Sequence, residues 1–154
     1  CELAVVLGKD ARDVPAGQTR DYIFGYTILN DVSARDVQTA HKQWYFGKSL
    51  DGFTPIGPCI VTADAFADYP PRLGIRSFVN GEKRQDSNTA LQIFDIDHVI
   101  AELSQGMTLK AGTIIATGTP AGVGMGMDPP QFLKPGDVVR CEIEGIGTLT
   151  NPVK

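Results

Sequence analysis

Long apolar runs are missing from this sequence of 154 residues. No stretch approaches the ~18 consecutive apolar residues of a membrane-spanning helix, and no charged n-region leads into the h-region of a signal peptide. Histidine is scarce. Only His41 and His98 occur, neither with a partner visible in the sequence, so neither receives a catalytic role. No serine nucleophile elbow and no Cys/His nucleophile pair is present. Cysteine is limited to Cys1, Cys59 and Cys141, an odd number without Cys-x-x-Cys spacing. Each sits in or beside an apolar run, which favours buried free thiols in a reducing, cytoplasmic compartment over a disulfide or a zinc site. An excess of positive charge is also lacking: the net charge of −4 leaves no basic footprint for nucleic acid. Repeats, low-complexity segments and linkers are absent.

What remains is an ordinary globular composition, 42% hydrophobic and 21% charged, with enough length to bury a substantial core in one domain. Seventeen glycines and ten prolines imply many turns and hence many short strands. The chain has no initiator Met and opens at Cys1 inside a strand-like pattern. A natural domain rarely starts within a core strand, so the expectation is a single domain over 1–154 whose N-terminal segment precedes this sequence.

The pattern predicts a strand at Glu2 to Leu7, ended by Gly8. A short helix is expected over Arg20 to Phe24, capped by Thr19, before a strand at Tyr26 to Asp31. Arg35 to Ala40 reads as a short helix or an extended segment. Pro55 to Pro58 breaks the chain ahead of a short buried strand, Cys59 to Thr62. Ile75 to Val79, Asn80-Gly81 and Glu82 to Gln85 form a type I′ hairpin signal. Ile96, Val99, Ile100 and Leu103 recur with helical spacing, with Asp95 as N-cap and Gly106 past the end. Thr113 to Thr117 is expected to be a buried strand, and Val138 onward a last hairpin around Glu144-Gly145, ending near Val153. The sum is a β-rich α+β domain.

Three polar residues are well placed for chemistry: Glu2, Asp31 and Lys48. Carboxylates at the ends of neighbouring strands suit a hard divalent cation, while Glu2 could equally face solvent on an edge strand. Lys48 could polarise a carbonyl, or be a surface lysine in a loop. Arg35 and Gln38, one turn apart if helical, could grip a carboxylate together or form a solvated helix face. The glycine-rich run Gly118 to Gly126 follows a strand, but Pro129-Pro130 stands where a nucleotide-binding loop would open a helix. It reads instead as a flexible loop whose amides and Thr119 hydroxyl can approach a ligand. His98 is expected on the surface of the amphipathic helix and His41 in a polar loop.

Together these segments resemble the C-terminal catalytic domain of the fumarylacetoacetate hydrolase family. The matching pieces are Glu2 to Val6, Gly25 through Gln38, Gln43-Trp44 with Gly47-Lys48-Ser49, Pro55-Ile56-Gly57-Pro58, Asn80-Gly81, Asp86 to Thr89, Ala116 to Gly124, and Leu133 to Asp137. They cover nearly the whole chain in the family's order. The resemblance implies a mixed β-sandwich roll, usually a homodimer, that binds Mg2+ or Mn2+ through three carboxylates. Glu2 and Asp31 match two of them, and the third would lie just before Cys1. Lys48 matches the family's active-site lysine, Arg35 and Gln38 its substrate-facing pair, and Thr119 its substrate-contacting threonine. A His-Glu dyad on a lid, which activates water in many members, would also lie upstream. One departure is Gln92, where a Met commonly sits, with an altered pocket wall as the expected consequence.

The implied chemistry is cleavage of a carbon–carbon bond in an acylpyruvate-like or diketo acid through a metal-stabilised enolate. The same site could decarboxylate an oxaloacetate-like acid or isomerise a 2-hydroxy-diene dioate. A catalytically incomplete fragment is the non-enzymatic alternative.

Overall fold

A computed structural model describes residues 1–40 and 42–154; the expectation for His41 falls outside them. Eight strands form two four-stranded sheets in which every described pairing is antiparallel. The first has the order β3-β2-β1-β6, with β1 at Glu2–Leu7, β2 at Ile23–Leu29, β3 at Ile56–Thr62 and β6 at Ile114–Ala116. The second has the order β5-β4-β7-β8, with β4 at Gly74–Val79, β5 at Glu82–Asn88, β7 at Val138–Ile143 and β8 at Gly147–Pro152. Two α-helices, α1 at Arg35–Ala40 and α2 at Ile96–Ser104, and short 3-10 turns complete the β-rich α+β fold. No helix among the described residues is long and apolar enough to cross a membrane.

The core lies between the sheets. Side chains alternate across a strand, so Leu3, Val5 and Leu7 of β1 meet Ile28 of β2 and Ile75, Val139, Cys141 and Ile143 of the second sheet. Leu3, Ile28, Ile100 and Ile143 are each no more than 2% exposed, and burying a side chain of this size contributes about 1.5–3 kcal/mol. Helix α2 closes one end with Ile96 and Ile100, the apolar positions of its stripe. Its start is set as expected: the Asp95 carboxylate accepts from the His98 amide (2.8 Å). Asn80 and Gly81 both take positive φ, 52° and 83°, which is what a type I′ turn requires.

Several expectations are corrected. The segment before β2 is a 3-10 turn at Thr19–Tyr22, and the strand starts at Ile23 and stops at Leu29. Thr19 does not cap it. Its buried hydroxyl instead donates to Asp97 (2.5 Å) and accepts from the Tyr69 hydroxyl, tying this segment to α2. The strand β3 is not buried. It is the outer strand of its sheet, Ile56 and Ile60 are about half exposed, and Cys59 is an exposed thiol while Cys1 and Cys141 are buried. In β6 only Ile115 turns inward. An apolar run therefore did not mean burial where the strand lies at a sheet edge. His98 is exposed and stacks on Phe94.

Candidate active site

Glu2 occupies the first position of β1, which lies between β2 and β6, so the edge-strand alternative does not hold. By alternation it lies on the face opposite Leu3 and Val5, yet it is only 4% exposed. The segment following β6 covers it, and the Gly118 amide donates to Glu2 Oε2 (2.8 Å). Burial raises the Glu2 carboxyl above its ordinary value; the Gly118 hydrogen bond works against this, the Asp31 charge reinforces it, and Lys48 opposes it.

The β1–β2 register pairs Glu2 with Leu29, so the chain leaving β2 carries Asn30 and Asp31 past the Glu2 end of the sheet. Here the backbone turns: the Asn30 amide donates to Pro55 O (3.0 Å) and the Val32 amide to Asn30 O (2.9 Å). Asp31 is half-buried and forms an ion pair with Lys48, whose ammonium also donates to Ser33 Oγ (3.0 Å). Lys48 ends the 3-10 turn Trp44–Lys48. Gly47 lets this turn approach α1, because a Cβ there would lie 2.8 Å from Ala34 O and Gln38 N, and the Ala34 amide donates to Gly47 O (2.8 Å). Lys48 is thus delivered to Asp31 by a close backbone contact that only glycine permits. It is not a surface lysine of a free loop.

Helix α1 brings Arg35 and Gln38 onto the same side, where Arg35 Nη1 donates to Gln38 Oε1 (2.9 Å). Gln38 is buried, so the solvated-face alternative is not observed. Thr119 is exposed at the opposite wall; its hydroxyl donates to Cys1 O (3.0 Å) and accepts from Gln85 Nε2 (2.8 Å). Glu2, Asp31, Arg35, Gln38, Lys48 and Thr119 all line one open groove of about 1520 Å³, with Trp44, Phe53 and Phe132 adding apolar surface.

The run Gly118 to Gly126 contains a 3-10 turn at Gly124–Gly126, and the Gln131 amide donates to Gly124 O (2.9 Å). Ser33 and Gln85 escaped sequence reasoning, because a serine in a turn and a glutamine in the polar run of β5 carry no periodic signal. Gln92 is not part of the groove wall; it donates to Thr117 Oγ1 (2.8 Å).

Hard oxygen donors on Glu2 and Asp31 fit a divalent cation, and Glu2 keeps one oxygen beyond the Gly118 contact. Among the described residues no group of three His, Cys, Asp or Glu could hold a metal ion, so these two carboxylates would be a partial set.

This fold of two antiparallel sheets is shared with known proteins. The family described as fumarylacetoacetate (FAA) hydrolase, C-terminal, matches residues 1–154, and the chain belongs to it. Oxaloacetate tautomerase YisK of Bacillus subtilis is 49% identical over 152 residues, covering 99% of this chain and 50% of that protein. The chain therefore spans about half the length of such curated relatives. Among solved structures, fumarylacetoacetate hydrolase from Exiguobacterium antarcticum matches with a TM-score of 0.95 at 52% identity, over 99% of this chain and 55% of that one. A 2-hydroxyhepta-2,4-diene-1,7-dioate isomerase from Mycobacterium marinum matches with a TM-score of 0.87 at 48% identity, over 98% and 56%.

Proposed function

We propose that this chain carries the catalytic groove of a divalent-metal-dependent enzyme that forms an enolate from a 2-oxo or diketo acid, with keto–enol tautomerisation or double-bond isomerisation as its reaction. The observation that carries this reading is the convergence of Glu2, Asp31, Lys48, Arg35, Gln38 and Thr119 on one groove. The relatives named as a tautomerase and an isomerase support the choice of reaction.

Glu2 and Asp31 are the residues that would hold Mg2+ or Mn2+. When bound, such a cation supplies positive charge to substrate oxygens that gain electron density. The protein's own groups do the rest. Arg35, held by Gln38, presents guanidinium N–H groups to a substrate carboxylate. Lys48 is kept in place by Asp31 and Ser33, so its ammonium adds positive charge for the oxygen that becomes the enolate, while solvent water takes up the proton lost from carbon. Thr119 limits how the substrate lies against the opposite wall.

The second reading is hydrolysis of a carbon–carbon bond in an acylpyruvate-like acid, favoured by the similarity to the Exiguobacterium enzyme. There water attacks the acyl carbonyl and the C–C bond breaks to leave an enolate at the same groups. Decarboxylation of an oxaloacetate-like acid also leaves an enolate, formed by loss of CO2. A homodimer belongs to the same proposal on the strength of the family resemblance, and a cytoplasmic setting on the three unpaired thiols.

Incubating the Mg2+-loaded enzyme with enol-oxaloacetate, and separately with an acylpyruvate, distinguishes the reactions by product. Accelerated ketonisation without pyruvate release is the expected result. Cleavage of the acylpyruvate alone would transfer the assignment to the hydrolase. Asp31→Ala should abolish Mg2+ binding by calorimetry, and an unchanged affinity would remove the metal from the reading altogether.

A further inference from the structure

The carboxylate of Glu2 is aimed by a chain of hydrogen bonds that starts outside its own sheet. Beyond β6 the backbone runs alongside Cys1 to Leu3. Thr117 Oγ1 donates to Leu3 O (2.7 Å), Thr119 Oγ1 donates to Cys1 O (3.0 Å), and between them the Gly118 amide donates to Glu2 Oε2 (2.8 Å). A hydroxyl has one proton. Because a carbonyl only accepts, each threonine proton is committed to the backbone of Cys1 or Leu3, and whatever else faces the hydroxyl must donate to it. Two glutamine amides do so: Gln92 Nε2 to Thr117 and Gln85 Nε2 to Thr119, both at 2.8 Å.

Gln85 is the stronger of the two. It is 4% exposed on β5, in the other sheet. Its Nε2 also donates to Pro120 O (2.8 Å) and its Oε1 accepts from the Cys1 nitrogen (2.9 Å). A pure acceptor on one side and a donor on the other leave the amide only one orientation. The Cys1 nitrogen lies farther from Thr119 Oγ1 (3.4 Å), so its shorter bond is the one to Gln85. Gly118 takes φ +95°, with open space where a Cβ would stand. Backbone conformation, not crowding, is what points its amide at Glu2.

We infer that Gln85, backed by Gln92, is a positioning residue of the active site: it fixes the direction of the Thr119 hydroxyl and holds Gly118 on the Glu2 carboxylate. The inference rests on the proposed metal-binding role of Glu2. A partner that orients a ligating carboxylate typically changes metal affinity by about 10–100-fold, even though Gln85 touches no metal.

The test compares Gln85→Leu, Gln85→Glu, Thr119→Val and the Gln85→Leu/Thr119→Val double variant in the full-length protein, reading Mg2+ affinity by calorimetry and KM against kcat. Gln85→Leu should weaken Mg2+ binding about tenfold or more in the folded protein. Gln85→Glu should do the same, because a carboxylate cannot donate to Thr119 or Pro120. Adding Gln85→Leu to Thr119→Val should raise KM little further, since the glutamine acts on substrate through that hydroxyl. A purely structural role would lower the melting temperature and leave the affinity of the folded protein unchanged, and that result overturns the inference. If Gln85→Leu does not fold, the size-matched Gln85→Glu is judged by the same criterion. Glu2→Gln separates the two failures. If it abolishes Mg2+ binding while the Gln85 variants bind normally, only the positioning role falls; if it binds normally, the metal reading falls with it.

Discussion

On the β1 wall of the groove, Glu2 is 4% exposed, sits in the middle of a sheet, and is met by the Gly118 amide. At the adjoining turn, Asp31 is half-buried, stands beyond the end of β2, and is held by the Lys48 ammonium. The first carboxylate is placed by strand register, and burial raises its affinity for a proton. The second is placed by a turn and neutralised by a cation of its own. One carboxylate is thus held by strand register and a backbone amide, and the other by a turn and a lysine.

The largest expected effect comes from removing either charge. Glu2→Gln and Asp31→Asn should each weaken Mg2+ binding by more than about 100-fold, exceeding the ~10–100-fold typical of supporting partners, as read by calorimetry. Their stabilities should diverge, because Glu2→Gln relieves a buried charge while Asp31→Asn leaves Lys48 without its counter-ion. Next, Lys48→Met should cut kcat by on the order of 10²-fold while costing under about 1 kcal/mol of stability, the usual worth of a partly exposed ion pair. A stability loss with kcat intact would make the lysine structural.

Glycine substitutions sharpen the contrast at a smaller scale. Gly47→Ala should destabilise by about 1–3 kcal/mol in urea unfolding through overpacking, since its Cβ would meet Ala34 O and Gln38 N at 2.8 Å. It should also lower activity by displacing Lys48. The smallest effect is the pH dependence of the metal-free protein. Folded Glu2 binds its proton more tightly than the unfolded chain does. Its contribution to stability is therefore complete below about pH 4.5 and declines as pH rises through the elevated folded value. In EDTA, the melting temperature of the parent protein should fall relative to Glu2→Gln over that interval, and a constant difference would show that Glu2 titrates normally.

Much of the fold was legible because local physics fixes it. The alternation in Val138 to Ile143, the Asn80-Gly81 turn and the Asp95 cap of α2 depend on neighbours within a few residues and appear as read, while of the α2 stripe Ile96 and Ile100 are buried and Leu103 is exposed. The errors share a cause. Cys59 to Thr62 and Thr113 to Thr117 are apolar and were expected to be buried, but a strand's exposure depends on which strands pair beside it, and that is not encoded locally. Thr19 has a cap's chemistry, yet Asp97 and Tyr69, distant in sequence, claim its hydroxyl.

The sequence by itself determined the residue types able to do the chemistry: two carboxylates, a lysine after glycine, an Arg–Gln pair one turn apart, and a threonine in a glycine-rich loop. Only the tertiary structure decided how they are held. The β1–β2 register sets Glu2 beside the Asp31 turn, Gly47 allows α1 and the lysine turn to touch, and Gln85 reaches from the second sheet to fix Thr119. Each of these is a contact between segments far apart in the chain. The physical reason is that hydrogen-bond direction and burial belong to the space between elements, which no single stretch of residues specifies.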